Sequence, residues 1–330
     1  MKKILSRLSI LTTFVFVSCA STSCASTENE FRLTIVHTND LHGMMLPFDY
    51  PGQEGSIAAE PNAGGLARRA TKIKELRANA DNPVVVVDTG DTFTRGPWHQ
   101  KFYGTPEIES LNRMGYDFAT VGNNEFKAKK GPESQAILLS LVQQSKFPWL
   151  AANLSVTSTG AAVPGIVPYV VRSYENVRVC YFGITAARSS TYPQTVGWTV
   201  HDPIETAKKI IPEARTHCEI LIALTHIDSD GTVDQKLASE VQGIDAIVGG
   251  DSHIFREPPT VAKAPDGRDV PIAQSGEQGV RVGKLDLVFK KSGEKWRLKE
   301  FQGKLIPINS STPEDPTLKT YIESVIGGGR

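Results

Sequence analysis

Short β-branched runs recur along this chain, and most of them end on residues of types able to bind metal. The runs are RLTIVHT (32–38), PVVVVDTG (83–90), VRVCYFGI (177–184), EILIALTH (219–226) and IDAIVGG (244–250). Between several of them lie stretches of helical character. ARRATKIKELRAN, Ala67 to Asn79, sets Ala70, Ile73 and Leu76 on one face. ESQAILLSLVQQS (133–145) and IETAKKIIPEA (204–214) are two more, with Pro212 expected to kink or end the latter. Strand runs alternating with helices predict an α/β domain with mostly parallel pairing.

The last third reads differently. PIAQSG (271–276), VGKLDLVFK (282–290) and KWRLKEFQGKLIPI (295–308) resemble antiparallel strands. Together the two patterns predict a four-layer α/β/β/α sandwich, two mixed sheets face to face with helices outside. Phe48 to Gly65, rich in Gly, Pro and small residues, is expected to be one long loop. The tail from Pro316 predicts a short amphipathic helix using Leu318, Ile322 and Val325. The expected layout is a leader over 1–26, one domain over 31–310 and a tail over 311–330.

The leader is read from its order of residue types. Lys2, Lys3 and Arg7 precede the apolar run ILTTFVFV (10–17), followed by small residues in SCASTSCAS (18–26). A basic start, a short apolar core and small residues make a secretory signal, too short to span a bilayer. The expected location is therefore outside the cytoplasm, periplasmic or anchored in the outer membrane. Cys19 after FVS resembles a lipoprotein cleavage point, and ordinary cleavage after Ala20 or Ala25 fits as well. Losing three positive charges leaves a formally neutral chain near −3, which gives no reason to expect a nucleic-acid partner. Contact with a membrane is expected only through a lipid at Cys19. Beyond the leader only Cys180 and Cys218 remain. They could pair in an oxidising compartment, but two cysteines are no framework, and the simpler expectation is two buried thiols.

The chemistry gathers where strands end. The first run exits into Asn39-Asp40-Leu41-His42-Gly43, the second into Asp88-Thr89-Gly90-Asp91. A short run after Asp117 exits into Gly122-Asn123-Asn124-Glu125. The fourth run ends on His226, and the fifth enters Asp251-Ser252-His253. Carboxyl ends of strands form the natural crevice of an α/β sheet. A single histidine after a strand is usually structural, but five such exits bearing Asp, Asn or His are hard to explain as surface decoration. Carboxylate, imidazole and amide oxygen together suit divalent ions such as Zn, Mn, Fe, Co or Mg rather than a thiolate site. D-x-H on an extended segment would put both donors on one side. His37 reads as a core residue or as support for the site, and His99 as a loop residue able to line it.

The wording of these loops, IVHTNDLHG, AGGLARRA, VVDTGDTF, LNRMGYDFATVGNNEF, ALTHI, GGDSHIF and QSGEQGVRVGKLDL, resembles the 5'-nucleotidase/UDP-sugar hydrolase family. More exactly, it is similar to that family's N-terminal calcineurin-like metallophosphoesterase domain, from about Arg32 to about Leu287. The resemblance implies two divalent ions that activate a water for attack on phosphorus. It assigns Asp40, His42 and His253 to the first ion and Asp91 to both. Asn123 and His226 go to the second, with Asp251 where the family usually has another histidine. It also implies a small phosphate ester, such as a nucleotide, as substrate.

Two departures concern chemistry. The family pattern G-N-H-E-F-D reads Gly122-Asn123-Asn124-Glu125-Phe126-Lys127 here. The histidine thought to steady the phosphoryl group is Asn124, and its orienting aspartate is Lys127. Asn124 is thus the candidate catalytic residue, a hydrogen-bond donor without positive charge, and losing an acid–base group costs about 10²–10⁴ in rate. Two-domain relatives recognise the nucleoside with a C-terminal domain. Here that role would fall to aromatic residues such as Trp98, Tyr103, Phe48 and Tyr50, or to a separate nucleoside-binding chain. The expectation is a metallophosphoesterase with attenuated activity. The alternatives are a metal and phosphate-ligand binding protein without turnover, or a hydrolase of another ester, as in thiosulfohydrolases.

Overall fold

Alternate residues of the strand Glu30–Thr38 point into different cores. In the computed structural model, which describes residues 29–328, Leu33 and Ile35 face one cluster of buried side chains and Val36 another. The strand Val84–Asp88 repeats this, with Val85 and Val87 on the first side and Val86 on the second. A strand's two-residue period sends neighbours to opposite faces, so runs buried on both faces are apolar throughout.

Two mixed sheets result. The first runs Lys295–Pro307, Arg281–Ser292, Glu30–Thr38, Val84–Asp88, Phe118–Thr120, Trp149–Leu150, Ile166–Val167. From Glu30–Thr38 to Ile166–Val167 every pair is parallel. The second runs Thr260–Lys263, Asp269–Ala273, Ala246–Val248, Ile220–His226, Val177–Thr185, Tyr169–Tyr174. The sheets face each other across Leu33, Ile35, Val85, Val87, Tyr181, Ile222 and Leu224. Outside the first sheet pack the helices Leu66–Ala78, Thr105–Met114, Glu133–Gln144 and Pro316–Gly327, through Ile73, Leu111, Leu138 and Leu318. Outside the second lie Pro203–Ala214 and Val233–Glu240, through Ala207, Ile211 and Leu237. Each fully buried Ile or Leu contributes about 1.5–3 kcal/mol of burial, so three separate cores fix the four layers. The α/β/β/α sandwich is the observed architecture.

Several expectations are corrected. Phe48 to Gly65 is not one loop: Phe48–Tyr50 and Glu60–Ala63 pair as a small antiparallel ribbon. In the last third, Asp269–Ala273 is parallel to Ala246–Val248 and antiparallel only to Thr260–Lys263. Arg281–Ser292 and Lys295–Pro307 do form an antiparallel hairpin. Pro212 sits inside the helix Pro203–Ala214, two residues before its end. It lies on the exposed side, as does Lys208, whose carbonyl one turn back loses the N–H partner that proline lacks. Cys180 and Cys218 are not thiols. They form a disulfide, with Cα atoms 5.7 Å apart across 38 residues of sequence. Val177–Thr185 and Ile220–His226 are adjacent parallel strands, and their register brings the two cysteines within bonding reach.

The tail helix belongs to the first core. Asp315 caps it by accepting from Leu318 N, and Leu318 and Ile322 are buried. The leader, with Cys19 and the cleavage points, lies outside the described residues. Among the described residues no helix is long and apolar enough to cross a membrane.

Candidate metal centre

Five of the seven expected ligands are held in a backbone conformation that side chains with a Cβ rarely adopt. Asp40, His42, Asp91, Asp251 and His253 have φ of 51°, 47°, 56°, 84° and 59°. Left-handed backbone at non-glycine residues costs free energy and clusters at functional sites. This corrects the extended reading of Asp40-Leu41-His42. Its donors converge because the loop coils, not because it is straight. The coil is fastened to the Asp91 loop by main-chain bonds Asp40 N to Gly90 O, His42 N to Asp91 O and Gly43 N to Thr92 O, each 2.9 Å. A third loop joins through Glu125, whose carboxylate accepts from Asp91 N, Thr92 N and Gly122 N at 2.7–2.8 Å. Any side chain at Gly122 would overlap Asp91. Burial, then the charge of Asp91, pushes Glu125 up to about 8, with the main-chain N–H groups pulling the other way.

The first candidate cation position is built around one oxygen. Asp40 Oδ2 accepts from Asn39 Nδ2 and Asp251 N, both at 2.8 Å. Asp40 Oδ1 is buried without a hydrogen-bond partner among the described residues, as is His226 Nε2. Around Oδ1 lie the Nε2 atoms of His253 at 3.2 Å, His42 at 3.8 Å and His226 at 3.9 Å. His42 and His253 Nε2 are 3.2 Å apart, and His226 Nε2 lies 3.3 Å from Asp91 Oδ1. Donors sharing one ion at about 2.0–2.2 Å in tetrahedral geometry are separated by about 3.3–3.6 Å. Asp40, His42 and His253 form one such group, and Asp40, Asp91 and His226 another, each with ligand atoms within 4.8 Å of one another. The residues present fit a divalent cation.

Support behind these candidate ligands is equally defined. His253 Nδ1 lies 3.0 Å from Glu277 Oε2, and His226 Nδ1 lies 2.6 Å from Thr89 O. Such partners fix which ring nitrogen faces the ion. The electrostatics favour positive charge at the centre. Burial works against a charge on His226, yet Asp91 and Asp40 raise its pKa well above the ordinary value. His253 rises to about 10 because Asp40 and Glu277 outweigh its burial. Asp40 is held below the usual carboxylate range, with His226 and His253 overcoming desolvation. His42 is pulled down, mainly by burial, toward the neutral form a ligand needs.

The second set is different. Asn123 Oδ1 and both carboxylate oxygens of Asp251 are bonded by Arg188, a residue that no sequence pattern had singled out. Arg188 Nη2 lies 2.5 Å from Asn123 Oδ1 and also donates to Asp251 Oδ1, while Nη1 lies 2.5 Å from Asp251 Oδ2. It sits in the turn Ala187–Thr191 after the strand Val177–Thr185, the one central run whose exit had carried no candidate. The signal available was a lone arginine three residues past that strand.

The remaining expected residues are placed as follows. Asn124 is buried; its backbone N donates 2.7 Å to Asp91 Oδ1 and its amide nitrogen to Asp91 Oδ2. Lys127 Nζ lies 4.0 Å over the ring of Tyr192, whose hydroxyl is 3.4 Å from Asn123 Nδ2. His37 is buried in its strand, held near 3 by desolvation, and packs where Gly283 leaves room. His99 engages Ala128 O at 2.9 Å through Nε2 and stacks near Phe93 rather than joining the ligands. Trp98 packs on Phe102, and Tyr103 on His99. Tyr50 is buried against Phe255 and donates to Glu277.

A four-layer α/β/β/α sandwich with this cluster at its strand ends is the architecture of a metallophosphoesterase. The calcineurin-like phosphoesterase model matches residues 33–255, and the chain belongs to that family. It is 30% identical over 324 residues to a snake venom 5'-nucleotidase of Gloydius brevicauda, across 93% of this chain and 53% of that protein. It is 30% identical to the 5'-nucleotidase of Bos taurus, across 88% of this chain and 52% of that one. Among solved structures, the 5'-nucleotidase precursor of Thermus thermophilus superposes with a TM-score of 0.77 at 28% identity, covering 90% of this chain and 59% of that chain. The chain thus spans about half the length of the curated relatives it matches.

Proposed function

We propose that this chain is an exported, divalent-metal-dependent hydrolase of nucleotides or other small phosphate esters. The observation that carries the reading is the unpartnered Asp40 Oδ1, ringed by the three Nε2 atoms of His42, His226 and His253. Asp40, His42, Asp91 and His253 would hold the ion, which supplies Lewis acidity toward a phosphoryl oxygen and lowers the pKa of a water. The resemblance assigns a second ion to Asp91, Asn123, His226 and Asp251. Of these, Asp91 and His226 already face Asp40, so the hydrolase reading needs only the first position.

The chain's own residues do the rest. Asp91, fixed by both nitrogens of Asn124, presents its carboxylate at a set position. Positioning of this kind, with electrostatic stabilisation, accounts for most of phosphoryl-transfer catalysis. The cations Arg188 and Lys127 border the same rim and favour an anionic substrate. Asn124 holds no transferable proton, so esters whose leaving groups need no protonation, aryl esters and phosphoanhydrides, are the favoured substrates over alkyl monoesters. The disulfide supports export, because such bonds persist in oxidising compartments. The leader reading adds a periplasmic or lipid-anchored location through Cys19.

A second reading, binding without turnover, has one observation in its favour: the Asn124 amide donates to Asp91. Chelation followed by readdition of Mn²⁺, Co²⁺ or Zn²⁺ separates the two on a panel of bis(p-nitrophenyl) phosphate, p-nitrophenyl phosphate, ATP and AMP. Metal-restored turnover, greatest on the aryl esters, is expected. Turnover indifferent to chelation sinks the hydrolase reading. No turnover with any ion leaves the binding protein.

A further inference from the structure

We infer that Arg188 stands in for the second metal ion, so that the centre holds one divalent cation and one guanidinium. The inference rests on the first cation position of the hydrolase reading and departs from the two-ion pattern. Three observations lead to it. Nη2 of Arg188 bonds Asn123 Oδ1 and Asp251 Oδ1 at once, and those are the outer donors of the second set. Nη1 takes the remaining oxygen of Asp251, leaving that carboxylate no free ligand atom in the plane of the fork. The residue at 251 is an aspartate where the resemblance leads one to expect histidine. A neutral imidazole has nothing to offer a guanidinium in bidentate form, whereas a carboxylate matches its fork.

The substitution and the arginine therefore explain each other. Asp251 is almost wholly buried at its side chain, 3% exposed, while Arg188 remains 39% exposed toward the rim. A buried carboxylate is retained where it is paired, and this one lies 3.7 Å from His226 Nε2. A guanidinium stays protonated across the pH range in which proteins work, whatever its partners. The guanidinium is thus a fixed charge. Binding an ion between Asn123 and Asp251 would first require breaking three charge-assisted hydrogen bonds. With one unit of charge in place of two, the second position contributes a fixed positive charge but no Lewis acid.

Metal counting tests this directly. The purified chain is stripped with chelator, loaded with excess Mn²⁺ or Zn²⁺, desalted and analysed by inductively coupled plasma mass spectrometry. One ion per chain is expected for the wild type and two for Arg188→Met, with Arg188→Lys remaining at one. Two ions in the wild type, or one in a folded Arg188→Met, overturns the inference while leaving the hydrolase reading intact. No ion in the wild type overturns both. Should Arg188→Met not fold, titration of wild-type protein with Co²⁺, followed by its d–d absorption, decides the same question. A single break at one equivalent supports the inference, and a break at two equivalents ends it.

Discussion

The two halves of this centre use nearly the same residue types and reach opposite states. Around Asp40 Oδ1, the Nε2 atoms of His42, His226 and His253 converge, and among the described residues neither Oδ1 nor His226 Nε2 has a hydrogen-bond partner. Around Asp251, 211 residues further along the chain, both carboxylate oxygens and Asn123 Oδ1 are taken by Arg188. The difference teaches that a ligand set is not a property of its own residues. One cation arriving from a neighbouring loop changes what aspartate and asparagine are available to bind, without altering any letter in their motifs.

The strongest way to break the comparison is to remove what both halves share. Asp91 lies against His226 in one half and against Asn124 in the other. Asp91→Ala should lower metal-dependent turnover by ~10³-fold or more, since several kcal/mol of Lewis-acid stabilisation depend on the ion being held. Turnover within tenfold of wild type on bis(p-nitrophenyl) phosphate would show that the cluster is not the active site. Next in size is the double replacement Asn124→His with Lys127→Asp, which restores the acid and its orienting carboxylate. Activity on AMP should rise by about 10²–10⁴. An unchanged rate would place the deficit elsewhere in the centre.

A smaller effect separates the first half from its support. Glu277 holds His253 from behind at 3.0 Å. Glu277→Gln should weaken metal affinity by about 10–100-fold and leave the fold intact, as isothermal titration and circular dichroism would show. Equal affinity in the variant would mean that His253 needs no such partner. The smallest effect concerns Glu107, a buried carboxyl near the first half, whose oxygens have no hydrogen-bond partner among the described residues. Burial raises its pKa from 4.5 to about 8. A carboxyl raised on folding contributes stability that is complete below its unfolded value and lost as pH rises through about 8. Wild type and Glu107→Gln should therefore melt alike near pH 4. Near pH 9 the variant should melt higher, by about 2–4 °C per kcal/mol recovered. Parallel melting curves across that range would show that Glu107 ionises freely.

Much of this was legible in the sequence for a simple reason: strands end where ligands begin. RLTIVHT leads into Asp40 and His42, and EILIALTH ends on His226, so local pattern placed both on one rim. The layered fold was legible for the same reason, because β-branched runs buried on both faces leave few ways to pack. What stayed hidden depends on contacts between distant segments. Arg188 meets Asp251 across 63 residues and Glu277 meets His253 from another loop. Neither pairing leaves a periodic trace. The disulfide was hidden likewise, since the register of Val177–Thr185 against Ile220–His226 decides it. The coiled shape of Asp40-Leu41-His42 was misread because its cause lies in the neighbouring Asp91 loop, not in its own letters.

The fastening of Glu125 to Asp91, Thr92 and Gly122 has a consequence for how such a centre drifts over evolutionary time. Since one carboxylate pins both loops through their main chains, the Asn124 side chain adds a bond to Asp91 but does not join the loops, and Lys127 faces Tyr192 instead. These two side chains can be exchanged singly while Asn123 keeps its station. A lineage can therefore lose, retune or recover turnover by small steps without ever passing through an unfolded intermediate sequence.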